Sequence, residues 1–175
     1  MTINYHGSKK MSERPKEISP FNSALETGLR SICILESNIE LDFDIQHLLA
    51  FDHLIVHSGD ITDGPASLHV ESQNRNGELL IRRPIVESGL LLMESKGLIS
   101  RIFTSNGISY TATEFAVTFL NSLTTVYVSE LRSRAAWAVS LYSSVEGDFF
   151  KEVFNVAFDR WTTEFQLSKL ALGGS

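Results

Sequence analysis

The chain has 175 residues, 43% of them hydrophobic and 21% charged, enough apolar material for one domain with a core, or for a small domain with a helical extension. Its net charge of −6 argues against autonomous nucleic-acid binding, which depends on basic side chains to neutralise phosphate. The single cysteine, Cys33, excludes an internal disulfide and a paired-cysteine metal knuckle, and no apolar run reaches the roughly 18 residues of a membrane span.

With no signal-peptide pattern at the start, the chain reads as a soluble cytoplasmic protein with no membrane partner. Residues 1–20 are polar, carry Pro15 and Pro20 and lack periodicity, so they are expected to form a flexible leader. A first helix is predicted from about Asn22 to Ser37. Ser23 and Glu26 have capping-box spacing, and Phe21, Leu25, Leu29, Ile32 and Leu35 form a helical stripe. Cys33 lies in this segment as a small core residue, and Gly28 permits close approach of another element.

Asp42 is the expected N-cap of a second helix running to about His57. On a helical wheel Ile45, Leu48, Leu49, Ile55 and Val56 share one apolar arc, and Asp52 falls inside it. Gln46, His53 and His57 group on the opposite, polar side. A carboxylate facing a core must be paired or hydrogen-bonded. Arg82, Arg83 or the N–H groups of a helix N-terminus are the candidate partners of Asp52.

An insert over residues 58–80 follows, rich in turn chemistry: Ser-Gly-Asp, Asp-Gly-Pro and Asn-Arg-Asn-Gly. Together with the helix before it, it holds three of the five histidines, His53, His57 and His69. His53 and His57 have the spacing of a helical metal pair, and Asp60 and His69 would complete a set of N and O ligands. No HExxH accompanies them, and an exposed polar face explains the pair equally well. Asp52, His57, Asp60, His69, Arg82 and Arg83 are therefore read as one structural and recognition unit, without a catalytic set, a cofactor or a metal.

Pro84 suits the first turn of a third helix, extending to Lys96 with Gly97 as its stop. Its predicted inner face carries Ile85, Gly89, Leu92 and Met93. A hairpin signal comes next, Leu98–Phe103 and Ile108–Tyr110 around an Asn106-Gly107 turn. Thr111 and Glu114 have capping spacing for a helix reaching about Ser122. Three helices, a two-stranded wing and a helix make residues 21–123 a winged-helix-like domain, mainly α with a small β-hairpin. The candidate recognition helix sets Glu87 and Glu94 against Arg82, Arg83 and Lys96, a face better suited to protein than to phosphate.

Residues 124–172 read as a C-terminal helical extension. Tyr127, Leu131, Ala135, Ala138 and Tyr142 form one stripe, and Trp137 and Leu141 a second. After Gly147, Phe150, Phe154, Trp161 and Phe165 recur in register. These aromatics either pack the two helices together or, with Trp137, offer anchors to a partner.

The motifs DHLIVHSGD, GPASLH, NRNGELLIRRPIVESGLLLMESKGLI and YTATEFAVTFLNSL resemble the middle-component subunits of bacterial ABC three-component conflict systems. Within these, the chain is similar to the small accessory subunit of Lamassu-type anti-phage and anti-plasmid defence complexes. The resemblance covers roughly Ser23 to Tyr142. It implies a non-enzymatic subunit joining an SMC-like ATPase, which senses foreign DNA, to a nuclease-type effector, with DNA reached through the complex. Two other functions stay open on the residues alone: a winged-helix transcription regulator, and a small metal-dependent hydrolase using His53, His57, Asp60 and His69.

Overall fold

The computed structural model describes residues 23–144 apart from 62, 70–74 and 106, with residues 75–81 described as helix backbone. Helix α1 spans Ala24–Glu36, and Ser23 caps it, its extended backbone letting the hydroxyl accept the Glu26 N–H at 3.2 Å. Four consecutive apolar residues, Ile32 to Leu35, are all buried. A helix apolar all round is a core helix, and α1 is enclosed on every side rather than along one stripe. Leu25, expected on that stripe, lies before the enclosed segment and is 64% exposed.

Strand β1 is the short segment Phe43–Asp44, a strand the sequence patterns do not announce. It leads directly into helix α2, Ile45–Val56, so the N-cap is Asp44 and not Asp42. The Asp44 carboxylate accepts the N–H groups of Gln46 and His47, both at 2.9 Å, and contacts His47 Nδ1 at 2.8 Å. Burial alone would raise its pKa, but the hydrogen bonds from His47 and Gln46 prevail and hold it below the ordinary value.

After α2 a single turn of 3₁₀ helix, Ser58–Asp60, reverses the chain. The following loop folds back onto the helix end: the N–H groups of Leu68 and His69 both donate to Val56 O, at 3.0 and 3.1 Å. Ser58 Oγ donates to Ala66 O at 3.2 Å, and the Gly59 N–H donates to Ser67 Oγ at 3.1 Å. At Gly64 a Cβ would lie 2.2 Å from Ser58 O, so only glycine fits this reversal.

Helix α3 runs from Arg75 to Ser95, beginning nine residues before the predicted start at Pro84, so the expected 58–80 insert is shorter. Pro84 is exposed inside the helix, where its missing N–H leaves one rung of the hydrogen-bond ladder open. At the far end Gly97 takes φ +71. The Gly97 N–H donates to Glu94 O at 2.8 Å and the Leu98 N–H to Met93 O at 3.0 Å, the paired bonds of a Schellman stop.

Strands β2, Ile99–Thr104, and β3, Gly107–Ala112, form the hairpin. Thr104 pairs with Gly107, placing the turn one residue earlier than Asn106-Gly107. The sheet is antiparallel with order β1-β3-β2, β1 pairing Phe43 with Tyr110. Thr111 lies inside β3, so helix α4, Glu114–Ser122, is preceded by Thr113 instead. The Thr113 hydroxyl turns back and donates to Gly97 O at 2.7 Å.

Helix α5, Val126–Ser144, buries Val128, Leu131, Ala135, Ala138 and Val139. Tyr127, Trp137, Leu141 and Tyr142 pack partly buried against the core. The Tyr142 ring stands edge-on to Phe43 and Phe51, with centroids 5.4 and 5.8 Å away, fastening α5 to β1 and α2. The described residues are thus mainly helical with a small three-stranded antiparallel sheet. The expected helix carrying Phe150, Phe154, Trp161 and Phe165 lies outside the described residues.

Helices α1 and α3 meet through two glycines. A Cβ on Gly89 would stand 2.6 Å from Gly28 N and 2.6 Å from Thr27 Oγ1, and one on Gly28 would stand 2.9 Å from Gly89 O. The contact is closed by the Thr27 hydroxyl, which donates to Ile85 O at 3.1 Å.

Gly89→Ala should therefore part the two helices. The overpacking cost exceeds the helix-propensity gain, for a net loss of about 1–3 kcal/mol in urea unfolding. A stabilised variant would show that the helices separate freely. Asp44→Ala should cost about 1 kcal/mol at neutral pH through the lost cap. Because the folded pKa of Asp44 is depressed, its pH-dependent contribution is present above the unfolded value of 3.8 and is lost as pH falls through the folded value. The stability difference between wild type and variant should accordingly narrow in acid, read from melting temperatures across a pH series.

Candidate functional site

Asp52, in the middle of α2, is fully buried, and two arginines from two other helices meet it. From α1, Arg30 Nε donates to Oδ1 at 2.5 Å and Nη2 to Oδ2 at 3.3 Å. From α3, Arg82 Nη1 donates to Oδ2 at 2.9 Å. The Arg30 side chain is 0% exposed and that of Arg82 6%. Burial alone would lower the Arg30 pKa, yet the Asp52 charge and hydrogen bonds, with help from Glu26, raise it. One carboxylate thus faces two guanidinium groups.

Glu26, one turn before Arg30 on α1, supplies the balancing charge at 3.1 Å from Arg30 Nη1. Its environment acts in the opposite direction: burial raises its pKa and outweighs the lowering by Arg30 and by the Tyr127 hydrogen bond. The Tyr127 hydroxyl on α5 donates to Glu26 Oε1 at 3.2 Å and lies 3.2 Å from His69 Nε2 in the folded-back loop. As the tyrosine proton is directed to Glu26, His69 Nε2 is the donor in that second bond. Burial first, and the Glu26 charge second, push the Tyr127 hydroxyl up to about 12. The polar network thus runs from Arg82 through Asp52, Arg30, Glu26 and Tyr127 to His69, crossing four helices and the loop.

The histidines are placed differently from the wheel. His53 and His57 are buried, 7% and 3% exposed, instead of facing solvent. The returning loop packs against the C-terminal end of α2, bringing Asp60 beside His53 and His69 beside His57. His53 and His57 rings approach to 4.8 Å between centroids, and His57 and His69 to 6.2 Å. His53 Nε2 lies 3.8 Å from Asp60 Oδ2. Among the described residues no group of three or more His, Cys, Asp or Glu side chains is placed to hold a metal ion.

Arg83 points to solvent and pairs with Glu87 on the next turn at 2.9 Å, so it does not serve Asp52. Trp137 packs partly buried against the core. Arg30 is the functional residue that the sequence reading missed, although a signal was present: an arginine inside a helix apolar all round must find a buried anion. Cys33 is 1% exposed and its thiol is pushed up to about 12 by burial, leaving it a core side chain. Asp52 and its arginines are closed off from solvent and bonded to one another, an arrangement that holds helices together and offers no acid or base to a substrate.

Removing Asp52 leaves two buried cations without their shared anion, so Asp52→Ala should cost about 3–5 kcal/mol of folding stability. Arg83→Ala, which deletes an exposed pair, should stay within about 0.5 kcal/mol. Chemical denaturation of both variants provides the check, and equal effects would contradict the assignment of Arg82 over Arg83.

No helix among the described residues is long and apolar enough to cross a membrane. No curated protein and no solved structure matches the chain. A family does: the pattern described as ABC-three component (ABC-3C) system Middle Component 2 matches residues 20–164. That span includes the caps, the buried charge cluster, the folded-back loop and the hairpin. The chain belongs to the Middle Component 2 family of ABC three-component systems.

Proposed function

We propose that the chain is a non-enzymatic bridging subunit, joining an SMC-like DNA-sensing ATPase to a nuclease-type effector in Lamassu-like anti-phage or anti-plasmid defence. The observation that carries this reading is the family match over residues 20–164, which makes the chain one component of a multi-protein system. The structure adds support through the state of its polar residues. Asp52, Arg30 and Arg82 are buried in mutual bonds, so the most chemistry-like residues serve architecture.

The order α1, α2, α3, β2, β3 supports a winged-helix-like unit over residues 21–123, with β2 and β3 as its wing, and α5 opens the helical extension proposed for residues 124–172. In a direct DNA reader, α3 and the wing would offer cations to phosphate. Here Arg83 is matched by Glu87 and Arg101 by Glu94, at 2.9 and 2.7 Å. That pairing favours a protein-contacting role over an independent transcription regulator, with DNA reached through the complex. Asp52, His57, Asp60, His69 and Arg82 act in this reading as the frame that sets the loop for recognition, with Arg83 at its exposed rim. Trp137, Phe150, Phe154, Trp161 and Phe165 supply aromatic anchors to the partners, and the subunit works in the cytoplasm.

Co-expression with the adjacent reading frames provides the test. The chain should co-elute with an ATPase and an effector in one size-exclusion peak, and the effector should become DNA-dependent only when the chain is present. A chain that never associates with an ATPase neighbour, or an effector fully regulated without it, overturns the proposal. Alone at low salt, the chain should not shift duplex DNA in a mobility assay.

A further inference from the structure

Strand β2 is the outer strand of the sheet, and from Ser100 to Thr104 every residue is exposed. Its register against β3 is continuous from Ile99–Ala112 to Thr104–Gly107. The edge therefore has no bulge, and the segment ISRIFT has no proline and no lysine. Soluble proteins blunt exposed edges with those devices, because an open row of N–H and C=O groups accepts further strands. The one charged residue, Arg101, is turned onto α3, where Nε and Nη2 both reach Glu94 at 2.7 Å.

The geometry of the hairpin specifies which groups face outward. A two-residue turn makes Thr104 and Gly107 a hydrogen-bonded pair, so Phe103 and Arg101 occupy the alternate positions, their N–H and C=O directed away from β3. Phe103 is 76% exposed and its cross-strand partner Ile108 41%. By strand alternation both lie on the sheet face that carries Ile99 and Phe43 into the core, so they continue that apolar face beyond the core's edge. Ile102, on the other face, is 38% exposed, and Leu91, one turn before Glu94 on α3, is 55% exposed.

We infer that β2 is a strand-accepting edge, and that its occupant is an extended, apolar, uncharged segment of another component of the system, added antiparallel or parallel beside ISRIFT. The inference rests on the bridging role proposed above and names the surface that performs it. Charge complementarity selects the occupant's chemistry. With Arg101 and Arg83 each matched by a glutamate and Lys96 exposed at the end of α3, the strand edge itself offers backbone hydrogen bonds and apolar contact but little charge. Strand addition draws its affinity from main-chain bonds and its specificity from alternate side chains, and Phe103 with Ile108 provides the apolar contact for those side chains.

The test uses the full chain purified with the products of its adjacent genes, followed by amide hydrogen exchange. On assembly the amides of Arg101 and Phe103 should slow by about tenfold or more, because exchange requires the new strand to open. Phe103→Asp should reduce co-purification by about tenfold, while Val126→Asp, at an exposed apolar position on α5, should leave it unchanged. Both variants should melt like wild type, since each side chain is solvent-exposed; Phe103→Ser is the second variant if the aspartate disturbs the hairpin. Assembly in which those two amides exchange as fast as in the free chain overturns the strand-addition inference and leaves the bridging role standing. A chain that does not assemble overturns both. Protection that appears in the isolated chain with rising concentration identifies a second copy as the occupant and overturns the assignment to another component.

Discussion

Asp52 has its carboxylate enclosed in the core of a mainly helical chain, and that placement constrains everything around it. A charge taken out of water persists only with partners of excellent geometry. Here the partners come from two different helices, Arg30 of α1 and Arg82 of α3. One side chain thereby sets the rotation of α2 against both neighbours, because a slip of one residue would swing the carboxylate by about 100°. Such clusters contribute little net stability compared with well-packed apolar residues of similar volume, yet removing one member is costly. The cluster is therefore best understood as a device for specifying which arrangement of helices forms, while apolar burial supplies the driving force.

The same cluster ties the region after α2 to the core. Two cations, Arg30 and Arg82, face two anions, Asp52 and Glu26, and Glu26 passes the network to Tyr127 and His69. His69 belongs to the loop that folds back onto Val56. Its position is thus tied through five side chains to the packing of α1 and α3, so that the interior sets where the loop lies. The glycine contact between α1 and α3 belongs to the same construction, since close approach of those helices brings Arg30 and Arg82 onto a single carboxylate.

Local rules predicted the features that local chemistry controls. Ser23 as a cap, Gly97 as a stop, the hairpin and the need of Asp52 for an arginine all follow from a few neighbouring residues. What escaped is non-local. The wheel assigned His53 and His57 to solvent because it treats a helix as having one covered face, whereas the loop after α2 also packs against the C-terminal end of that helix. Arg30 attracted no reading, because only the unbroken run Ile32 to Leu35 shows that its part of the helix is enclosed. The start of α3 was misplaced because Pro84 is a favoured first-turn residue. Here the helix continues through it, with Arg82 in the preceding turn bonded to Asp52. Strand β1 is two residues long, too short for any alternating pattern.

The chain deals with arginine in one way inside and outside. Buried Arg30 and Arg82 have Asp52 and Glu26, and exposed Arg83 and Arg101 have Glu87 and Glu94. The interior pairs are obligatory, since an unpaired charge there would be costly. The exterior pairs are not, because an exposed arginine is content in water, and an exposed pair contributes at most about 1 kcal/mol to stability. Their effect is felt in recognition instead. Matched charges weaken the long-range attraction for phosphate at Arg83 and Arg101, while the backbone edge of β2 and the rings and methyl groups beside it are exposed. Such a surface offers discrimination by shape and main-chain bonding, in keeping with the bridging role proposed for this middle component.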